Sequence, residues 1–141
     1  MAYDPDNIFA KILRGEASAH TVLDEEHCVA FMDLMPQAPG HTLVIPREPA
    51  ENLFELSEES LEHLIVATKR IAHAVRAAFD PPGMMIAQLN GADAGQTVYH
   101  IHFHVIPRKG GVAMPLHART VADTAELADH AKRIRAELDA A

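Results

Sequence analysis

Residues 98–106 read VYHIHFHVI, and from position 100 onward histidines alternate with apolar residues. Alternation with a period of two predicts a β-strand, in which successive side chains point to opposite faces. His100, His102 and His104 are therefore expected on one face, with imidazoles spaced roughly 6.6 Å apart along the strand. The apolar residues between them are expected to face a core formed with the longest helix of the chain.

Three histidines on one strand face allow three interpretations. They could be incidental polar residues on a solvated face, which explains strict alternation poorly. They could bind a metal, because three imidazoles and a water form a catalytic zinc site, although Asp93 is the only acidic residue between Met85 and Met114 to support such ligands. They could also supply a nucleophile, since a neutral imidazole attacks phosphorus to form a covalent phosphoramidate. Imidazole titrates near pH 6.5, so it is largely unprotonated at neutral pH.

The segment before the histidines, residues 90–97, reads NGADAGQT. Its glycines allow backbone N–H groups to approach an anion closely. Gln96 and Thr97 add side-chain donors for phosphate oxygens or a leaving group. The same segment is also explained by an ordinary Asn90–Gly91 turn, and the two interpretations are compatible.

Composition limits the class of protein. The chain has 141 residues, 48% of them hydrophobic and 23% charged, which fits one globular domain. The net charge of −8, without a basic cluster, argues against a nucleic-acid polymer as partner. No apolar run approaches the ~20 residues that span a bilayer, and the N-terminus lacks a signal-peptide pattern. With a single cysteine, Cys28, the chain is expected to be cytoplasmic.

The order of predicted elements is α, β, β, β, α, β, β, α. Capping residues and apolar periodicity mark the helices, and Gly or Pro ends most elements. The predicted ranges are a helix from Asp6 or Asn7 to Arg14, strands 20–23, 28–34 and 41–45, a helix from Ser57 to Pro81, strands 84–89 and 98–106, and a helix from a Thr120 cap to about Leu138. This order predicts an α+β fold with a mostly antiparallel five-stranded sheet, a long helix packed on one face and a C-terminal helix.

Four ordered segments carry a resemblance to a known family. They are residues 8–12 (IFAKI), 30–33 (AFMD), 39–46 (PGHTLVIP) and 95–106 (GQTVYHIHFHVI). The last resembles the His-x-His-x-His signature of the histidine triad (HIT) family, and the resemblance runs from about Asn7 to Arg108. It implies a single domain over residues 1–141, a homodimer, and hydrolysis or transfer of nucleotides at the α-phosphate.

The resemblance also implies catalytic roles. His102 matches the nucleophile that becomes nucleotidylated, while His100 and His104 match its flanking partners, which orient it and contact phosphate. Gln96 lies near the leaving group, and Thr97 lies on the phosphate side. The proton donor to the leaving group is left open among His104, Gln96 and Thr97.

The substrate-binding positions follow from the same resemblance. Asn90, Gly95 and His41 match positions that line the phosphate site. Asp33 matches an acid that accepts hydrogen bonds from both ribose hydroxyls, as a carboxylate can. An apolar slot for the base is matched by Ile8, Phe9, Ile12, Phe31 and Leu34. By spacing alone these five residues are better explained as core, and only the resemblance favours a slot.

Two features of this chain stand out against the pattern of the family that it resembles. Many bacterial relatives bind a structural zinc through Cys-x-x-Cys and a later histidine, whereas the matching positions here are Asn7, Ala10 and Pro49. We therefore expect no metal site and no cofactor; magnesium would arrive only with a polyphosphate substrate. The third triad position is His104 rather than Gln, which favours hydrolysis over nucleotidyl transfer.

These expectations describe a bacterial nucleotide hydrolase of the Hint-like or fragile-histidine-triad-like kind. Its substrate would be a purine nucleoside phosphoramidate or a dinucleoside polyphosphate, cleaved through a nucleotidyl-histidine intermediate. The alternative is a nucleotide-binding sensor or interaction protein with little turnover. A small-molecule purine nucleotide and a second copy of the chain are the expected partners, with no membrane. His117 is expected at the surface.

Overall fold

The computed structural model describes residues 2–111 and 120–140. Its elements follow the predicted order. They are α1 (Ile8–Leu13), β1 (Thr21–Asp24), β2 (Cys28–Met32), β3 (Thr42–Pro46), α2 (Glu58–Phe79), β4 (Gly83–Gln88), a 3-10 turn (Ala92–Ala94), β5 (Phe103–Arg108) and α3 (Thr124–Ala140). No helix in these described ranges has the length and apolar character needed to cross a bilayer. His117 lies outside the described residues.

The five strands form one sheet in the order β1-β2-β3-β5-β4, and every neighbouring pair is antiparallel. This confirms the predicted α+β class. Strands β1 and β4 lie at the two edges, and β3 lies at the centre. Because β5 is inserted between β3 and β4, the histidine-bearing strand is paired on both sides.

Both faces of the central strands are covered, so every residue of β2 and β3 is buried. On one face, alternate strand residues pack against α2 and α3 in the main core. On the other face, Phe31, Leu43 and Ile45 pack with Phe9 of α1 in a smaller cluster. The small helix α1 therefore covers only part of its face, and the remainder of that face is available to form a site.

The long helix begins and ends where local sequence signals place it. The Ser57 side chain accepts a hydrogen bond from the Ser60 N–H, which satisfies a donor of the first turn. Asp80 ends the helix in the left-handed conformation, with φ of 46°, just before two prolines. The predicted Thr120 cap on the last helix is wrong, because Asp123 accepts from the Glu126 N–H at 3.2 Å and α3 begins at Thr124.

The histidine strand is shorter than predicted. It begins at Phe103, so His100 and His102 precede it and the prediction of a strand from Val98 is wrong at that end. The physical reason is a contact with a distant segment. The Ile101 N–H donates to the Ala50 carbonyl at 2.9 Å instead of joining the sheet ladder. The imidazoles therefore do not share the regular spacing of a strand face.

Candidate active site

A cavity of about 300 Å³ opens on the sheet face that α1 covers only in part. It lies between α1, the end of β2 and the start of β5. Its walls are formed by Ile8, Phe9, Ile12, Ser18, Ala19, Phe31, Met32, Asp33, Leu34, Met35, Leu43, Thr97, Val98, His102 and His104. The lining is mostly apolar, with one carboxylate, two imidazoles and two hydroxyls. This combination is typical of a small-molecule site.

The central histidine is held in one tautomer by the main chain. His102 Nδ1 lies 2.7 Å from the His100 carbonyl oxygen, which can only accept, so Nδ1 carries the proton. The unprotonated nitrogen is therefore Nε2. The Phe9 ring packs edge-on against this imidazole, with ring centroids 4.9 Å apart. His102 thus lines the cavity with a nitrogen able to act as a nucleophile and with its ring plane fixed.

The first histidine lies behind the cavity rather than in its wall. His100 is fully buried; its Nε2–H donates to the Pro46 carbonyl at 2.8 Å, and its Nδ1 accepts from the Tyr3 hydroxyl at 2.6 Å. Burial lowers the pKa of His100, although the bond to Pro46 acts in the opposite direction. His100 is therefore a neutral residue that acts on His102 through its carbonyl oxygen.

The third histidine is oriented by a chain of hydrogen bonds. His41 Nδ1 accepts from the Gln37 N–H at 3.0 Å, so the proton of His41 is on Nε2. That atom lies 3.0 Å from His104 Nδ1 and 3.4 Å from Asp33 Oδ2. His104 Nδ1 accordingly accepts, and the proton of His104 is on Nε2. The cavity thus presents one unprotonated imidazole nitrogen, on His102, next to an imidazole that donates.

The residues at the positions that match a structural zinc site have other partners. Both ring nitrogens of His100 are engaged, and Asn7 Oδ1 caps α1 by accepting from the Ala10 N–H at 2.9 Å. With alanine and proline at the other matching positions, these residues do not fit the structural zinc of relatives. In the described ranges the group with ligand atoms close enough for a metal is Asp33, His41 and His104.

The loop before the histidines supports the site from outside the cavity. The buried Gln96 amide accepts from the Gly91 N–H at 2.7 Å and donates to the carbonyls of Glu51 and Val98, at 2.6 and 3.0 Å. Asn90 Oδ1 accepts from the Leu53 N–H at 2.9 Å. Neither residue lines the cavity, and neither do Gly95, His41 or His100. Thr97 is the residue of this loop that reaches the wall.

All five residues predicted for an apolar slot line the cavity. Phe9 and Phe31 also belong to the small core cluster, whereas Ile8 and Leu34 are 46% and 50% exposed and are not core residues. The lining residues not predicted from the sequence are Ser18, Ala19, Met32, Met35, Leu43 and Val98. The position of Leu43 could have been predicted, because Leu43 pairs with Phe31 across β2 and β3 and its side chain therefore lies on the same face of the sheet.

Comparison with known proteins identifies relatives of the chain. The family model for the HIT domain matches residues 14–111. The chain is 42% identical over 103 residues to the protein hit of Bacillus subtilis (strain 168), covering 73% of this chain and 71% of that protein. A structure of a HIT-like protein involved in cell-cycle regulation from Bartonella henselae has a TM-score of 0.91 at 45% identity, covering 97% of this chain and 99% of that one. A hypothetical histidine triad nucleotide-binding protein from Sulfolobus tokodaii strain7 has a TM-score of 0.86 at 28% identity, covering 94% and 91%.

Proposed function

The chain belongs to the HIT domain family, and from that premise we propose that it is a nucleotide hydrolase acting at an α-phosphate. The substrate class is a purine nucleoside phosphoramidate or a dinucleoside polyphosphate. One observation carries the proposal. The His102 ring has its proton on Nδ1, so that Nε2 carries the lone pair, and this residue lines a cavity that also contains a carboxylate and an apolar slot.

The reaction proceeds in two steps. His102 Nε2 attacks the α-phosphorus, a P–N or P–O bond to the leaving group breaks, and the leaving atom keeps the electron pair and takes a proton. The proposed donors are His104, whose proton is on Nε2, and Thr97, since both residues line the cavity. Water then attacks the phosphorus of nucleotidyl-His102: its oxygen bonds to phosphorus, the Nε2–P bond breaks and its electron pair returns to Nε2, and the water proton replaces the one given to the leaving group. Each turnover consumes one water.

The nucleoside is bound on the other side of the cavity. The apolar slot between α1 and β2 accepts the purine base, while Asp33 accepts from the ribose hydroxyls. The Asp33 carboxylate accepts from the Met35 N–H through Oδ1 at 2.9 Å, which fixes its orientation. A carboxylate offers about four acceptor positions, and one carboxylate can accept from two hydroxyls. In this scheme Gln96, Asn90 and Gly95 shape the loop that presents Thr97.

Neither step requires a metal, and we propose that the protein works without zinc or another cofactor. The support is chemical: the positions that hold zinc in many relatives have other hydrogen-bond partners here, as described for Asn7 and His100. Magnesium would enter only as a complex with a polyphosphate substrate.

The proposed location of the protein is the cytoplasm. Burial raises the pKa of the Cys28 thiol to about 11, which makes this thiol unreactive.

Trapping the covalent intermediate tests the proposed function. Wild-type protein mixed with a panel of purine nucleoside phosphoramidates and dinucleoside polyphosphates, with and without excess chelator, is quenched in the millisecond-to-second range. Mass spectrometry should find a nucleotidyl adduct on His102, and the adduct formed from phosphoramidates should persist in chelator. Tight nucleotide binding with no adduct and no product would favour the sensor alternative. Loss of phosphoramidate turnover on chelation would favour a metal-dependent hydrolase.

A second copy of the chain is the proposed protein partner, bound through the β4 edge. The other edge is blocked, because the Arg135 side chain donates to the Thr21 carbonyl of β1 at 2.8 Å. The β4 edge carries Ile86, which is 44% exposed. An edge strand with an exposed apolar side chain pairs readily with another strand, and a twofold axis makes that pairing antiparallel and self-complementary.

Substituting Ile86 with aspartate should therefore separate the two copies. Light scattering after size exclusion should give wild-type protein a mass twice that of the 15.4 kDa chain, and Ile86→Asp the mass of one chain. The matched control is Val66→Asp, which places the same charge at an exposed position of α2 and should stay dimeric. A monomeric wild type, or an Ile86→Asp protein that remains dimeric, would contradict this interface.

A further inference from the structure

The N-terminal segment contacts the histidines through the side chain of Tyr3. Tyr3 precedes α1 and lies outside residues 14–111, the range of the family match. Its hydroxyl lies 2.6 Å from His100 Nδ1, and the two rings meet edge-on with their centroids 5.7 Å apart. Tyr3 is half-buried and His100 is fully buried. A residue far from the histidines in sequence therefore completes the surroundings of the first of them.

The backbone that follows Tyr3 is held by its own hydrogen bonds. The Asp4 carbonyl accepts from the Asn7 N–H at 3.3 Å and from the Asn7 side-chain amide at 2.7 Å. The Pro5 carbonyl accepts from the Arg14 guanidinium at 2.7 Å, which joins this segment to the end of α1. Tyr3 therefore precedes a turn whose position is fixed relative to α1.

The Tyr3 hydroxyl is the donor in its bond to His100. His100 Nε2 lies 2.8 Å from the Pro46 carbonyl, which can only accept, so the proton of the neutral ring is on Nε2 and Nδ1 carries the lone pair. Removing the hydroxyl would leave this buried acceptor without its donor, which is costly. A ring that changed tautomer in response would lose the bond to Pro46 instead. The hydroxyl thus holds His100 in one tautomer.

The position of His100 in turn sets the state of His102. The peptide unit between His100 and Ile101 is held at both of its polar atoms. Its N–H donates to the Ala50 carbonyl at 2.9 Å, and its oxygen accepts from His102 Nδ1 at 2.7 Å. An acceptor at this nitrogen keeps the lone pair of the His102 ring on Nε2, as an acceptor does for other catalytic histidines. A shift of the His100 side chain would move this peptide oxygen.

We propose that Tyr3 is a positioning residue for the hydrolysis, an inference that rests on the proposed function. Its hydroxyl fixes the tautomer and orientation of His100, and the His100 carbonyl keeps the His102 Nε2 lone pair aligned for attack on phosphorus. Tyr3 does not line the nucleotide cavity. It therefore affects the rate of bond formation to phosphorus and not the affinity for the nucleotide.

The substitution Tyr3→Phe tests the proposal, because it keeps the aromatic ring and removes only the hydroxyl. With a saturating purine nucleoside phosphoramidate, the single-turnover rate of nucleotidyl-His102 formation should fall about three- to tenfold, as expected for the loss of one uncharged hydrogen bond. The calorimetric affinity for a purine mononucleotide should be unchanged. Tyr99→Phe is the matched control, since Tyr99 is the other tyrosine of the chain and is also half-buried, and it should keep the wild-type rate.

NMR of the histidine side-chain nitrogens gives a readout that a loss of stability alone would not change. In wild type, His102 should show a protonated Nδ1 and an unprotonated Nε2, and His100 should show the reverse. In Tyr3→Phe, the His100 ring should no longer occupy a single tautomer, and the His102 signals should move toward those of a mixture of tautomers. Tyr99→Phe should give the wild-type spectrum.

The outcomes separate this inference from the proposed function. A Tyr3→Phe protein with the wild-type rate and the wild-type His102 signals overturns the inference, even if its thermal unfolding temperature is lower. If wild type forms no adduct with any phosphoramidate, the proposed function fails, and the spectra still decide whether Tyr3 sets the state of His102. Should Tyr3→Phe fail to fold by circular dichroism, the wild-type spectrum decides: protons on His100 Nε2 and His102 Nδ1 support the inference, and a proton on His100 Nδ1 or His102 Nε2 overturns it.

Discussion

Replacing His102 with alanine should reduce hydrolysis of purine nucleoside phosphoramidates by a factor on the order of 10³–10⁶, the range seen when a catalytic nucleophile is removed. No described imidazole nitrogen in the cavity can take its place. The Nδ1 of His104 accepts from His41, and its Nε2 holds the proton, so neither atom offers a lone pair to phosphorus. Single-turnover measurements with a saturating phosphoramidate give the loss directly.

Folding and nucleotide binding of the His102→Ala protein should be largely retained. The ring packs against Phe9 at the cavity wall, outside the main core, and the apolar slot and Asp33 are unchanged. Calorimetry with a purine mononucleotide and thermal unfolding check this expectation. His73→Ala, which removes an exposed imidazole from α2, is the matched control and should turn over substrate at the wild-type rate. Near-normal turnover in His102→Ala would remove this residue from its catalytic role.

The elements that the sequence predicts well are those set by neighbouring residues. The long helix α2 starts at a serine cap and ends before two prolines, and the signals for both ends lie within four residues of the ends themselves. The short, nearly continuous apolar runs of β2 and β3 likewise predict strands, because both faces of each strand are buried. These local rules were sufficient to give the order of the elements and the α+β class.

The features that the sequence does not predict depend on contacts between distant residues. The start of β5 is displaced because the Ile101 N–H is taken by Ala50, in the segment after β3. The role of His100 depends on Tyr3, 97 positions away, whose hydroxyl holds the imidazole behind the cavity. No periodicity links such residues. The regular alternation predicted three equivalent histidines, whereas contacts with distant residues (Tyr3 for His100, Phe9 for His102 and His41 for His104) give the three different surroundings.

The same distinction explains the behaviour of the loop before the histidines. Its composition correctly suggested a glycine-containing turn with polar side chains. Whether an amide faces a ligand or the main chain is decided by what surrounds it, and Gln96 is surrounded by the backbone of Gly91 and Glu51. An amide buried with three main-chain partners stabilises the loop in one conformation. Gln96 therefore does not line the cavity, whereas the next residue, Thr97, does.

Replacing Asp33 with alanine should weaken binding of a purine mononucleotide by about 10- to 100-fold, which corresponds to the ~1.5–3 kcal/mol of a hydrogen bond to a charged group. In the proposed complex both ribose hydroxyls donate to this carboxylate. The loss of nucleotide affinity should therefore depend on whether the sugar carries these hydroxyls. Calorimetry with a purine nucleoside monophosphate and with its 2′,3′-dideoxy analogue measures it for each variant.

A double comparison separates loss of ribose contacts from general damage to the site. Wild type should prefer the ribonucleotide strongly, whereas Asp33→Ala should bind both sugars with similar, low affinity. Asp33→Asn keeps the shape of the side chain and its bond from the Met35 N–H but removes the charge. Its preference for the ribonucleotide should therefore lie between those of wild type and Asp33→Ala. Asp93→Asn, an exposed acid outside the cavity, should behave as wild type. If Asp33→Ala kept the full preference for ribose, the carboxylate would instead serve only to orient His41, whose Nε2 lies 3.4 Å from it.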